Sequence, residues 1–124
     1  MDKFQAIQAF WESFELDAYD ENTVPTGSFM PELPYITYEA STSDFNNSIS
    51  LHASLWYYGS SWEPISKKLS EIESYIGRGG IMLPVDGGAI WIVKEKPFAQ
   101  RMSDPNDMIR RIFMRISAEF ITAD

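Results

Sequence analysis

Residues 108–122 carry the cleanest pattern in the chain. Ile112, Met114, Ile116, Ala118 and Phe120 alternate with Arg111, Phe113, Arg115, Ser117 and Glu119. Successive side chains of a strand point to opposite faces, so a period of two predicts a strand with one core face. Its other face is charged around a single aromatic. Residues 47–58 repeat the pattern, with Ile49, Leu51, Ala53, Leu55 and Tyr57 set against Ser50, His52, Ser54, Trp56 and Tyr58. Two long half-buried strands commit the chain to a sheet with one covered face.

Helical spacing appears twice. Phe4, Ile7, Phe10, Trp11 and Phe14 recur at three and four residues, predicting a helix over 3–15 with Asp2 as N-cap. This aromatic stripe suits packing on a sheet, or docking into a neighbouring subunit. A second helix is expected over 62–76, after the break Gly59-Ser60-Ser61, which offers N-caps. Pro64 falls in its first turn, where a missing N–H costs little. Ile65, Leu69, Ile72 and Ile76 form its buried stripe, Lys67, Lys68, Glu71 and Glu73 point away, and Gly77 ends it. Lys67 and Glu71 stand at an i,i+4 spacing that favours an ion pair.

Shorter strands are expected at 34–40, 81–84 and 89–95. Val85-Asp86-Gly87-Gly88 between apolar runs signals a hairpin, and Ser41 to Asn47 is turn chemistry joining the first two strands. Residues 17–33 and 97–107 show no period and contain prolines, so both read as long loops. The first, acidic and bearing Phe29 and Met30, is either a flexible connection or a mobile binding arm that orders on assembly. The expected fold is therefore a single α+β domain over 1–124, ordered α-β-β-α-β-β-β. Its sheet has about five strands, antiparallel or mixed, with both helices on one face.

A chain of 124 residues can bury one real core. No apolar stretch reaches the roughly 20 residues that span a bilayer. Met1-Asp2-Lys3-Phe4-Gln5 lacks the basic start and apolar run of a signal peptide, so a soluble cytoplasmic chain is expected. The absence of cysteine excludes disulfides, thiol nucleophiles and thiolate metal sites. Net charge is −8, all of it within residues 1–50, while residues 51–124 balance to zero. So acidic a domain is a poor DNA binder. The acids are either a solvated face that keeps the protein soluble or the complement of a basic surface on a partner.

No residues are arranged for covalent chemistry. His52 is the only histidine and lies within a strand, with no metal-binding or dyad partner suggested nearby. The glycines at 77–80 and 87–88 match no phosphate-binding loop. Asp104-Pro105-Asn106-Asp107 lacks the Asp-x-Asp-x-Asp-Gly spacing and closing Glu of a calcium loop. Asp20-Glu21 sits in a loop without an apolar pocket. The reading is a non-enzyme with no cofactor, metal or small-molecule substrate. A small hydrolase or lyase would need a pocket gathering His52, Asp86 and an Arg.

Several segments come in a suggestive order. A short N-terminal helix precedes Pro34-Tyr35-Ile36-Thr37-Tyr38-Glu39, a long strand ending Leu55-Trp56-Tyr57, and a helix. Arg78-Gly79-Gly80, a Gly-Gly hairpin and the loop Arg101-Met102-Ser103-Asp104 follow, before the last strand. Over nearly the full length the series resembles small tail-terminator or tail-completion proteins of long-tailed bacteriophages and prophages. No single motif is a chemical signature; the ordered set carries the likeness.

The resemblance implies a structural virion protein that forms a ring, commonly a hexamer, at the head-proximal end of the tail. Its partners would be itself, the tail-tube protein and the head connector, with no membrane or specific nucleic-acid binding. Its place would be the bacterial cytoplasm during assembly and then the virion tail. A ring subunit needs two different surfaces that meet head to tail. Arg110, Arg111 and Arg115, with Phe113 beside them, are the expected basic surface, and Asp17, Asp20 and Glu21 the acidic one. Phe29 and Met30 would add apolar contacts, and an acidic bore would repel passing DNA. The competing class is a monomeric or dimeric adaptor that holds one partner on the aromatic and arginine face of the sheet.

Overall fold

The structure is a computed structural model that describes residues 1–24, 32–40 and 48–122. Its elements are α1 (Lys3–Glu12), β1 (Ala18–Asp20), β2 (Tyr35–Tyr38), β3 (Ile49–Tyr58), α2 (Glu63–Ile76), β4 (Ile81–Val85), β5 (Gly88–Met102) and β6 (Ile109–Thr122). The strands form one sheet in the order β1-β2-β3-β6-β5-β4. β1 runs parallel to β2, and the other neighbours are antiparallel. The α+β architecture and the β2–β3 hairpin are as expected. The turn at 41–47 lies outside the described residues, as do Phe29 and Met30.

The strand count departs from expectation by one. β1 lies within the segment 17–33 where a loop is expected, and it is too short to show a period. Its pairing is anchored by the Ile36 amide donating to the Asp17 carbonyl and the Glu21 amide donating to the Tyr38 carbonyl, each at 2.9 Å.

The loop expected at 97–107 is a second correction, because β5 runs on through Met102. β4 pairs only as far as Ile81 with Ile92, so from Val93 onward β5 is a free edge among the described residues. A proline's missing N–H is tolerated on such an edge. The β5–β6 register jumps between Lys94 opposite Ile116 and Ala99 opposite Met114. Residues Glu95 to Phe98 therefore bulge opposite Arg115 alone, and Pro97 sits in the bulge.

The registers put Leu51, Ala53 and Leu55 beside Ile116, Met114 and Ile112, all on one buried face. Ala6, Ile7, Phe10 and Trp11 of α1 and Ile65, Ile72 and Ile76 of α2 complete the same cluster. Each fully buried isoleucine contributes about 1.5–3 kcal/mol. Both helices thus cover one face of the sheet. α1 packs against both β1 and β4, the two end strands, so the sheet curls around it.

Asp2 caps α1 in a capping box. Its carboxylate accepts from the Gln5 amide at 2.8 Å while Gln5 Oε1 accepts from the Asp2 amide at 2.9 Å. Asp2→Ala is expected to cost about 1 kcal/mol, read as a lower urea midpoint with an unchanged slope. The helix stops at Glu12, short of the expected residue 15, and Glu15 turns the chain at φ 65°. Phe4, expected on the buried stripe, is 54% exposed, and Ala6 lies inside instead.

At α2 the N-cap position is Trp62, which makes no side-chain cap, and Ser61 Oγ accepts from the Glu63 amide at 3.0 Å. Lys68 does not point away as expected. Its Nζ donates to the Phe14 carbonyl at 2.8 Å and pairs with Glu71 at 3.1 Å, tying α2 to the end of α1.

Candidate protein-binding face

The second face of the sheet, opposite both helices, displays Ser50, His52, Ser54 and Trp56 from β3. β6 adds Arg111, Phe113, Arg115 and Ser117, paired with them in register. β2 adds Tyr35 and Thr37. Alternation along the strands puts them here, because their neighbours fill the core.

Arg111 lies flat on this face. Its guanidinium sits 4.6 Å above the Trp56 ring, and its Nε donates to Ser54 Oγ at 3.1 Å. Ser54 is 2% exposed, so this bond satisfies a buried hydroxyl. The Trp56 indole N–H in turn donates to Thr37 Oγ1 at 2.9 Å. The arginine and the indole thus hold one another in place across three strands.

His52 stacks on Phe113 with ring centroids 5.3 Å apart. Its Nε2 lies 2.8 Å from Glu21 Oε2 and its Nδ1 3.2 Å from Glu39 Oε1. The two carboxylates meet different ring nitrogens, so the three side chains cannot close on one metal ion. No group of three or more His, Asp or Glu residues suited to a metal occurs among the described residues. The histidine instead draws the ends of β1 and β2 onto β3. Arg115 stands opposite His52 in register, and its Nη2 reaches the Pro97 carbonyl in the bulge at 3.4 Å.

Arg110 belongs to a different place. Its guanidinium lies 5.3 Å from the centre of the Trp62 ring, which Arg101 also approaches at 4.6 Å. It donates to the carbonyls of Asp107 at 2.6 Å and Ser60 at 2.9 Å. These bonds fasten the segment before β6 to the start of α2, beside a concavity of about 410 Å³.

The expected acidic residues divide as well. Glu21 is held by His52, and Asp20 Oδ1 accepts from the Asn22 amide at 3.0 Å. Asp17 lines a concavity of about 460 Å³ with Glu12, Glu15, Leu16 and Pro34. Above it, Gln8 joins α1 to the sheet, accepting from the Tyr38 hydroxyl and donating to the Ala18 carbonyl at 2.8 Å. Burial, then the charges of Asp20 and Glu12, push the Tyr38 hydroxyl above its ordinary range, so it remains a neutral donor.

Arg111, Phe113, Arg115 and Glu21 are therefore brought together on one face. Arg110 and Asp17 stand apart from them, and His52 and Asp86 are not gathered. Asp86 sits in the β4–β5 turn, where its carboxylate binds the Met1 amino group at 2.8 Å. Sequence reasoning missed a concavity of about 530 Å³ lined by Arg78, Lys94, Glu95, Lys96 and Phe98. Its signal is the cluster Lys94-Glu95-Lys96-Pro97, of which Lys94 and Glu95 fall in the expected strand and Pro97 in the expected loop.

No helix among the described residues is long and apolar enough to cross a membrane. Compared with models of known families and with curated proteins, the chain matches none.

Proposed function

We propose that this protein is a non-catalytic assembly subunit, a phage tail terminator that rings the end of the tail tube and presents a docking surface to the head connector. The observation that carries the reading is the second sheet face, where Trp56, Arg111, Phe113, His52 and Arg115 are held in place by one another and by their neighbours. Aromatic and arginine side chains dominate the energetics of protein interfaces. Side chains already fixed in the free protein lose less entropy on docking, so such a face is prepared to bind. The ordered likeness set out from the sequence supplies the kind of partner.

The test is assembly. The protein is mixed with the tail-tube protein encoded beside it and viewed by electron microscopy, with mass followed by light scattering. Rings of uniform size on tube ends, and neighbouring genes for a head connector and a major tail protein, are the expected result. A species that stays monomeric at high concentration and ignores the tube overturns the reading. If that monomer captured one other protein through Trp56 and Phe113, it would be an adaptor.

A further inference from the structure

The concavity at the β5 bulge gathers three of the chain's ten Lys and Arg residues: Arg78, Lys94 and Lys96. Among the described residues none of the three forms an ion pair. The one acid in the lining, Glu95, is occupied by the Ser50 hydroxyl at 2.5 Å. Phe98 gives the concavity an apolar wall that continues into the core, and the Lys94 ammonium lies 6.0 Å from its ring. The concavity lies along the part of β5 that β4 leaves unpaired, so it opens at a sheet edge.

The complementary surface is on the same chain. At the other end of the strand order, beside β1, Glu12, Glu15 and Asp17 line their concavity around Leu16 and Pro34. The carboxylates of Glu15 and Asp17 have no partner among the described residues. Each surface joins a net charge to an apolar patch, positive at the bulge even with Glu95 counted and negative at α1 and β1. Three strands, β2, β3 and β6, separate β1 from β5 in the sheet. A surface at one edge that complements a different surface at the other generates head-to-tail association, which closes into a ring when the rotation allows.

We propose that the β5 bulge is a docking cradle for the acidic corner at α1 and β1 of a second copy of this chain. This rests on the assembly reading and gives it an interface. The cations that meet the acidic corner are then Arg78, Lys94 and Lys96, while Arg111 and Arg115 keep the second sheet face for the tube or the connector.

Charge exchange tests it, with light scattering on the whole chain at low and high salt. Lys94→Glu/Lys96→Glu and, separately, Glu15→Lys/Asp17→Lys each lower the association constant by about tenfold or more, and raised salt lowers that of the wild type. A mixture of the two variants regains association, because the exchanged charges again face opposites, and this recovery rules out misfolding as the cause. If the wild type associates and either variant matches it, or the mixture does not recover, the cradle is overturned while the assembly reading stands. A wild type that never associates, alone or on tube ends, overturns both. If Lys94→Glu/Lys96→Glu instead abolished binding of labelled single-stranded DNA and left association untouched, the concavity would be a phosphate site and the cradle would again fall.

Discussion

Trp11→Ala is expected to destabilise the fold by about 3–5 kcal/mol, lowering the thermal midpoint by roughly 10–20 °C. Trp11 is 1% exposed and sits where α1, α2 and the sheet converge. Its ring lies 4.7 Å from Phe10 and 6.4 Å from Phe14, and both phenylalanines touch Tyr75 of α2. Truncation leaves a cavity that none of these neighbours can fill without giving up its own edge-to-face contact. Phe4→Ala is the control from the same aromatic stripe. Exposed at 54%, Phe4 should change stability by no more than about 0.5 kcal/mol. Equal losses from the two variants would mean that α1 buries a different side from the one described.

This helix also decides what the two candidate surfaces can do. α1 touches both end strands of the curled sheet, and its last turn carries Glu12 beside Glu15 and Asp17. A subunit in which α1 is loosened would keep the sheet's second face and lose the acidic corner. Trp11→Ala assayed below its midpoint should therefore weaken self-association before it weakens binding through the second sheet face.

What could be read from the sequence follows from where period and burial coincide. β3 and β6 are long and covered on one face only, so their alternation survives intact and names the residues these two strands give to the second face. That is why Arg111, Phe113 and Arg115 were legible. β1 was not, since three residues cannot display a period and its hold on the sheet comes from backbone bonds to residues 36 and 38. The second half of β5 was hidden for a different reason. Pro97 argues against a central strand, but β5 is central only as far as Ile92, and along a free edge the proline costs no ladder bond. The cradle was lost with it. Arg110 misled because it adjoins Arg111 in sequence, and consecutive strand residues point to opposite sides.

Gly80→Ala should be a severely damaging single methyl group, costing about 3 kcal/mol or more. Gly80 has φ 84°, a conformation that L side chains rarely adopt. A Cβ there would lie 2.3 Å from the Ile92 carbonyl oxygen and 2.9 Å from Trp91 Nε1. The carbonyl belongs to the β4–β5 ladder and cannot retreat without breaking it. The indole nitrogen is fixed as well, donating to the Gly79 carbonyl at 3.0 Å. Gly87 separates the two causes, because its φ of 83° is almost the same while a Cβ there meets nothing within 4 Å. Gly87→Ala should therefore show the conformational cost alone, about 1 kcal/mol. The difference between the variants in urea unfolding measures the steric part. Gly80 also follows Arg78 by two residues, so shifting the start of β4 moves a cation of the cradle. Under mildly destabilising conditions Gly80→Ala should lose self-association while Gly87→Ala retains it. Equal stability losses in the two variants would show that the backbone at Ile92 yields, and that Arg78 is not held where the cradle needs it.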